Sequence, residues 1–230
     1  MQRREFLRGA ALPVLAAAAG RPKRAAAQSQ SPAAIALPKP QLQGGRPLME
    51  ALTLRKTNRN ISEEKLSPQM LSNLLWAAWG VNRPDTGGRT APSAMNVQEI
   101  NLYVFLPEGV YLFDGPSHSL RPVLAGDHRA ATGTQPDAGK APLSLVYVAD
   151  FDKYTAGRGG RGVTDADLQT AWSNAHAGFI GQNVYLFAAS EGLASCFRAM
   201  LDSPALSKLL GLRASQKVLY GQSIGYSAKA

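Results

Sequence analysis

Two short segments of this sequence carry side chains that could hold a phosphate group. The first is Arg55-Lys56-Thr57-Asn58-Arg59. Alternate residues of an extended backbone point to the same side, so Arg55, Thr57 and Arg59 would present two guanidinium groups and one hydroxyl together. Guanidinium groups make bidentate contacts with phosphate oxygens. When this segment is considered alone, a solvated basic turn is the alternative.

The second segment is APSAMN, residues 91–96. Pro92, Ser93 and Asn96 place a proline, a small hydroxyl and an amide where the sequence predicts the start of a short helix. Such a start leaves backbone N–H groups free and lets the backbone approach a flat ligand closely. An ordinary capped helix is the alternative for this segment. The two segments lie about 35 residues apart, and together they indicate a binding site.

Helices predicted around the first segment would position it. A short helix that begins near Leu48 and leads into Arg55 is predicted immediately before the basic residues. Ser67 and Pro68 suit the N-cap and first position of a second helix, whose apolar stripe runs to a stop at Gly80. The residues 82–91 are rich in Gly, Arg, Asp and Pro, and they predict a loop that leads to the second segment.

The remainder of the chain predicts a mostly antiparallel sheet. Residues 100–106 and 109–113 have the alternation and side-chain types of a hairpin, and the apolar run 143–149 predicts a buried strand. The later elements are a long helix over 164–190, a strand over 192–200, a helix over 203–210 and a strand over 217–226. A flexible basic loop is predicted at 157–163. This mixture places the fold in the α+β class.

The N-terminal residues differ in composition from the rest of the 230-residue chain. Residues 1–27 combine Arg3-Arg4, an alanine-rich apolar stretch and a small-residue cleavage site, and they predict a twin-arginine export signal. An amphipathic helix on a cytosolic protein is the alternative. Residues 28–47 predict a linker or arm, and residues 48–230 the folded domain. The apolar stretch is too short and alanine-rich to span a membrane, so no stable insertion is expected after cleavage.

Removal of the predicted leader changes the meaning of the net charge of +9. Residues 1–27 hold six of the 25 basic and one of the 16 acidic residues, which leaves 19 against 15 and a net charge of +4. No basic block remains, which argues against nucleic-acid binding. The single Cys196 excludes intrachain disulfides and cysteine metal clusters, and it is expected to be a buried thiol. The scattered His118, His128 and His176 are expected to be structural or solvated, so no metal site is predicted.

The two segments, in this order and spacing, resemble the flavin-dependent nitroreductase family, closest to its SagB-type branch of azoline-oxidising dehydrogenases. The resemblance covers about residues 48–226, and it also rests on LLWAAWGVNR at 74–83, GVYLFD at 109–114, GQNVYLFAASEGLAS at 181–195 and IGY at 224–226. It implies a homodimer with FMN in a groove between the subunits. The helix 164–190 would be the main dimer element, and hydride would pass through flavin N5 in a ping-pong cycle.

The resemblance also assigns site residues. It implies that Arg55, Thr57 and Arg59 hold the phosphate and ribityl end of FMN, and that Lys56 and Asn58 contribute through their backbone. The other implied FMN contacts are Pro92, Ser93 and Asn96 from the partner subunit, Ala199 and Met200 beside the ring, and Lys229 at the phosphate. Many nitroreductases have a Glu-Gly pair where this chain has Ala199-Met200. The basic C-terminal tail of larger members is reduced here to Ser-Ala-Lys-Ala.

Azoline-oxidising relatives use a Lys-Tyr pair for proton transfer, and Lys153-Tyr154 matches that pair in this sequence. The alternative is a surface lysine beside a half-buried tyrosine. The expected function is therefore that of an exported, periplasmic FMN-dependent oxidoreductase acting on a small molecule or peptide, with an unknown electron donor. Two alternatives remain, a flavin-binding or interaction protein without turnover and a secreted domain without a cofactor.

Overall fold

The computed structural model describes residues 32–135, 137–155 and 162–228. The helices within these residues are α1 (Leu48–Leu54), α2 (Pro68–Trp79), α3 (Asp152–Thr155), α4 (Ala166–Ser190) and α5 (Ser203–Leu210). The strands are β1 (Ile35–Ala36), β2 (Val81–Arg83), β3 (Gly88–Arg89), β4 (Ile100–Leu106), β5 (Gly109–Asp114), β6 (Ser119–Ala125), β7 (Leu143–Asp150), β8 (Leu193–Arg198) and β9 (Gln216–Tyr226). The predicted leader 1–27, the loop residues 157–161 and Lys229 lie outside the described residues.

Seven strands form one antiparallel sheet in the order β1-β6-β5-β4-β7-β9-β8. All eight residues of the central strand β7 are buried, as its apolar sequence predicts. Tyr103 of β4 pairs with Val146 of β7, and Tyr147 of β7 pairs with Tyr220 of β9. Helices pack on the sheet around two buried clusters, which confirms the α+β class.

The second helix begins and ends where the sequence predicts. The Ser67 hydroxyl accepts the Met70 N–H at 3.1 Å, Pro68 occupies the first helical position, and the Gly80 backbone terminates the helix. Its apolar stripe is buried in the main core and packs against α4. This burial fixes the direction in which the chain enters the residues 81–98.

The long helix α4 buries one face in the core, and its Gly181 packs against strand β8 of the sheet. The Asp165 carboxylate caps its start by accepting the N–H groups of Asp167 and Leu168, both at 2.9 Å. A Cβ added to Gly181 would lie 2.6 Å from the ring of Phe197 on β8. Glycine at this position therefore allows the helix and the aromatic ring to pack in direct contact.

The described part of the predicted arm, residues 32–47, lies against the domain. Ile35 pairs with Leu120 of β6, so β1 forms an edge of the sheet. The Leu37 N–H donates to the His118 carbonyl at 3.3 Å, and the Gln41 N–H donates to Asn73 Oδ1 at 2.9 Å on α2. The arm thus crosses from the sheet edge to α2 before it reaches α1.

Two local predictions differ from the structure, and one strand was not predicted. The predicted loop 82–91 contains the small hairpin of β2 and β3. The predicted helix at 92–93 is a 3-10 turn over Ala94–Asn96, in which Met95 has a left-handed backbone. The strand that was not predicted is β6, which contains Pro122, and proline lacks the N–H that a regular ladder needs. The β5–β6 register shifts beside that proline, between Val110 and Tyr111, where a strand tolerates it.

Candidate functional site

The basic segment Arg55–Arg59 follows α1 directly and lies along β8. Its backbone is attached by the Asn58 N–H, which donates to the Ser195 carbonyl at 2.9 Å. The Arg55 guanidinium lies 5.5 Å from the centre of the Tyr185 ring, and Thr57 Oγ1 lies 3.0 Å from the Tyr185 hydroxyl. Arg55 and Thr57 therefore share one face of the segment, as the alternation predicts.

Tyr185 of α4 joins three elements at this point. Its hydroxyl accepts the Phe197 N–H at 2.8 Å in addition to its contact with Thr57. It therefore links the basic segment, α4 and β8. Sequence reasoning did not single out Tyr185, although it lies within the matched segment 181–195. A tyrosine on an apolar helix is typical of a core position, so its type gave no signal of this role.

The cations of the basic segment have no ion-pair partner in the described part of the subunit. No carboxylate among the described residues lies within 4.0 Å of Arg55, Lys56 or Arg59. In contrast, Arg46 pairs with Glu50 a few residues earlier. Three positive groups within five residues therefore remain available to an anion, which is what a phosphate site requires.

A cavity of about 240 Å³ lies beside the basic segment. Its lining includes Arg46, Lys56, Asn58 and Ser227, together with Tyr185. The Asn58 side-chain amide donates to Ser227 Oγ at 3.4 Å, so the C-terminal end of the chain reaches the basic segment. Lys229 follows two residues later and lies outside the described residues, and its phosphate contact stays a prediction.

The end of β8 brings Ala199 and Met200 to the surface. Both residues are exposed, and the Met200 carbonyl accepts the Thr134 N–H at 3.2 Å. Next to them, buried Arg198 forms an ion pair with Asp137 at 2.7 Å. The hydrogen bond from Arg198 lowers the pKa of Asp137, and the positive charge of Arg59 lowers it further. Asp137 therefore interacts electrostatically with Arg198 at the end of β8 and with Arg59, the last cation of the basic segment.

The second predicted segment forms a tightly held loop. Met95, Asn96 and Gln98 have φ angles of 53°, 54° and 53°, the left-handed region that residues other than glycine rarely adopt. Side-chain hydrogen bonds hold this backbone. Ser93 Oγ accepts the Gln98 N–H at 3.1 Å, and the Gln98 amide donates to Asn96 Oδ1 at 2.7 Å and to the Gly87 carbonyl at 2.8 Å. Pro92, Met95 and Asn96 are exposed on its outer side.

Buried polar groups support this loop from below. The Arg89 guanidinium lies 4.8 Å from the Trp79 ring centre and donates to Gln98 Oε1 at 2.6 Å, and burial lowers the pKa of Arg89. His176 of α4 accepts the Ala94 N–H at 2.8 Å. An observed cluster of left-handed residues that is held so firmly indicates a functional loop.

Lys153 and Tyr154 of α3 contact different groups. Lys153 Nζ donates to the Gln98 carbonyl at 3.0 Å and to Asn101 Oδ1 at 3.1 Å, and burial lowers its pKa. The Tyr154 hydroxyl lies 3.0 Å from Ser173 Oγ, and burial of this side chain, 1% exposed, raises its pKa. Lys153 is therefore partly buried and hydrogen-bonded, and Tyr154 is fully rather than half-buried. Proton transfer by this pair stays a prediction.

The two segments make no direct polar contact with each other among the described residues. No hydrogen bond or ion pair between described residues joins 55–59 to 92–98. The expectation that the loop 92–98 serves the site of a partner subunit stays a prediction. The described residues also contain no group of three or more His, Cys, Asp and Glu residues placed to hold a metal ion. No described helix has the length and hydropathy that a membrane span needs.

The Nitroreductase family model matches residues 52–226. The chain belongs to the nitroreductase family. A proposed nitroreductase of Methanocaldococcus jannaschii is 30% identical over 156 residues, which cover 64% of this chain and 75% of that protein. The crystal structure of a proposed nitroreductase of Ralstonia eutropha has a TM-score of 0.80 and 38% identity, and covers 88% of this chain and 92% of that one.

A more distant structure shares the nitroreductase fold. It is the Escherichia coli microcin synthetase McbBCD with truncated pro-MccB17 bound, with a TM-score of 0.63, 20% identity, and coverage of 78% of this chain and 73% of that one. Members of the nitroreductase family are generally FMN-dependent oxidoreductases. Arg55, Lys56 and Arg59, which have no carboxylate partner in the ranges that the structure describes, fit the phosphate of such a cofactor.

Proposed function

We propose that this protein is an exported, FMN-dependent oxidoreductase that works as a homodimer through a ping-pong cycle. The observation that carries the proposal is the basic segment, where Arg55, Lys56 and Arg59 have no carboxylate partner among the described residues. FMN, when bound, supplies a group that accepts and returns a hydride. The protein's own residues bind and orient that group.

The basic segment binds the anionic end of the cofactor. Arg55 and Thr57 face the same side through their contacts with Tyr185, so a guanidinium and a hydroxyl are presented together. The loop with Pro92, Ser93 and Asn96 provides a rigid edge for the flat ring in the partner's site. Ala199 and Met200 carry no side-chain hydrogen-bond donor, so any polar contact from this pair comes from their backbone.

The homodimer is supported by an exposed apolar face of α4. Leu168 and Phe179 are 39% and 46% exposed, although both are large hydrophobic residues. Ala171, Ala175 and Gly178 are also exposed on this helix, and small residues permit close helix approach. Phe179→Glu would place a charge on this face. We expect it to convert the dimer to monomers in analytical ultracentrifugation, and a dimer of unchanged stability would contradict this interface.

Export and the SagB-type branch are further parts of the proposal. Arg3-Arg4 supports a twin-arginine signal, and this route suits a protein that folds around its cofactor before export. Replacement of both arginines by lysine should leave the protein in the cytoplasmic fraction, and unchanged periplasmic recovery would contradict export.

The matched segments support the SagB-type branch, which implies a small-molecule or peptide substrate. The electron donor is a quinol, a redox protein or the substrate itself.

Titration of the purified protein with FMN tests the proposal. We expect a bound flavin with an absorbance band near ~450 nm, which candidate donors bleach in anaerobic steady-state assays. A colourless protein that binds no added FMN would contradict the function outright. The second candidate is a flavin-binding protein without turnover, which the apolar pair Ala199-Met200 favours. Bound flavin that dithionite reduces, but no tested quinol, nicotinamide or redox protein reduces, would support that candidate.

A further inference from the structure

A buried pair of titratable residues lies beneath the loop 92–98 and has no role in the function proposed above. Glu99 is completely buried and His176 is 3% exposed. His176 Nδ1 lies 2.7 Å from Glu99 Oε1, and His176 Nε2 accepts the Ala94 N–H at 2.8 Å. Glu99 Oε2 has no hydrogen-bond partner among the described residues. The imidazole is therefore the hydrogen-bond partner of Glu99 Oε1, and the Tyr154 hydroxyl also lies near this carboxyl group.

These two contacts determine where the imidazole proton resides. Nε2 accepts a backbone N–H, so it must present its lone pair and cannot carry a proton. The ring proton is then on Nδ1, where it is donated to Glu99. A carboxyl group on one ring nitrogen commonly fixes the tautomer and orientation of a histidine in this way. Glu99 thus acts on Ala94 through His176.

The position of Ala94 matters because the left-handed residues follow it at once. Met95 and Asn96 begin the strained backbone, and Gln98 ends it. His176 fixes the first end of this stretch through Ala94, and Lys153 fixes the other end through the Gln98 carbonyl at 3.0 Å. His176 belongs to α4, which packs in the main core, and Lys153 belongs to the short helix α3. The loop conformation is therefore set from two sides.

We propose that His176 and Glu99 are positioning residues: the Nδ1–H tautomer of His176, fixed by Glu99, holds Ala94 and so keeps Ser93 and Asn96 in the geometry that receives the flavin. The effect on flavin rests on the proposed function. Neither side chain needs to touch the cofactor, because the pair is buried under the loop and acts through its backbone.

The first test needs no cofactor and uses the full chain in solution. Nitrogen NMR should show His176 with its proton on Nδ1, and the Ala94 amide should exchange slowly with solvent. In His176→Ala we expect the Ala94 amide to exchange about tenfold faster, because the free energy of one hydrogen bond corresponds to about a tenfold change in an equilibrium constant. Added imidazole should restore the protection. A ring protonated on Nε2, or an Ala94 amide that exchanges equally in both proteins, would overturn the proposal.

The second test measures FMN itself. We expect His176→Ala and Glu99→Ala to bind FMN about tenfold more weakly, and imidazole to recover affinity in His176→Ala. Glu99→Gln retains an acceptor for the ring N–H and should bind nearly as the wild type does. Leu206→Ala is the control, because Leu206 is buried in the other core cluster and its truncation lowers stability away from the loop.

The outcomes separate this inference from the proposed function. If the wild-type protein binds no FMN, the proposed function fails, and the tautomer and the Ala94 exchange still decide whether the pair positions the loop. If the wild type binds FMN and both alanine variants bind it equally well, the proposal is overturned. An affinity loss in Leu206→Ala as large as that in His176→Ala would also overturn it, because the effect would then reflect stability alone.

Discussion

The two segments that we assign to the cofactor are built in opposite ways. The basic segment 55–59 is largely exposed, and its side chains make few contacts beyond those with Tyr185. The loop 92–98 is strained, and it is held by hydrogen bonds that Arg89 and Lys153 donate to it and by one that His176 accepts from it. The basic segment therefore offers charge, and the loop offers a fixed shape. Changes to the first should alter affinity in a salt-dependent manner, and changes to the second should alter geometry.

The largest expected effect comes from removing charge in the basic segment. Arg55→Ala should weaken FMN binding by about 1.5–3 kcal/mol, the contribution of a hydrogen bond to a charged group. Fluorescence titration of FMN at several salt concentrations measures this loss, and the difference from wild type should shrink as salt rises. Arg121→Ala is the control, since Arg121 lies on β6 with Asp114 as its partner. Equal FMN affinity of Arg55→Ala and wild type would refute the phosphate assignment.

The same contrast explains which parts of the site the sequence could predict. The start of α2 at Ser67-Pro68, the buried strand β7 and the shared face of Arg55 and Thr57 follow from local residue types, and the structure agrees with each. The loop 92–98 does not follow from local types. Its conformation depends on the contact of Ala94 with His176, 82 residues later, and on left-handed angles that methionine does not encode.

Tyr185 was missed for a related reason. A helical tyrosine is most often a core residue. Tyr185 differs from such a residue only because its hydroxyl contacts Thr57 and accepts the Phe197 N–H. Strand β6 was missed because Pro122 argues against a strand unless the register shift beside it is known. Tyr185 is distinguished by contacts with Thr57 and Phe197, and β6 by its pairing with the neighbouring strand β5, so residue type alone was insufficient.

Removal of the Tyr185 hydroxyl tests how the basic segment is attached. Tyr185→Phe should lower the free energy of unfolding by about 1–2 kcal/mol, because the Phe197 N–H and Thr57 both lose a partner. Thr57→Ala removes one of these two bonds and should cost about half as much. Urea denaturation of both variants measures the difference. A cost for Thr57→Ala equal to that for Tyr185→Phe would contradict the role of the tyrosine as the link to β8.

Relief of backbone strain should have the opposite sign in the loop. Met95→Gly should raise the free energy of unfolding by up to about 1 kcal/mol, because a left-handed conformation costs glycine little. Met49→Gly is the matched control, since Met49 is an exposed methionine within α1. It should lower stability by about 1 kcal/mol, the penalty for glycine in a helix. Thermal and urea denaturation measure both, and destabilisation by Met95→Gly would show that the loop stores no strain there.

The smallest effect concerns the ion pair between the end of β8 and Asp137. Arg198 lowers the pKa of Asp137 in the folded protein, so the unfolded chain takes up the proton first as the pH falls. The ion pair therefore contributes its full stabilisation when the pH is above the pKa of Asp137 in the unfolded chain. This contribution is lost as the pH falls through the pKa of Asp137 in the folded protein. In Asp137→Asn, the free energy of unfolding should no longer show the part of its decrease between about pH 5 and pH 2 that Asp137 causes.

Urea denaturation at several pH values compares Asp137→Asn with wild type and with Asp85→Asn, whose carboxylate has no ion pair among the described residues. The stability gap between wild type and Asp137→Asn should narrow on acidification, and Asp85→Asn should follow wild type throughout. The gap stays modest because the Asp137 side chain is 34% exposed and solvent screens its charge. A gap that is constant with pH would mean that Arg198 is held by packing and by Gln135 rather than by the carboxylate. In that case packing and neutral hydrogen bonds would hold the end of β8 in place, and the ion pair would not. Among the end of β8, the loop 92–98 and the basic segment, only the basic segment would then depend on charge.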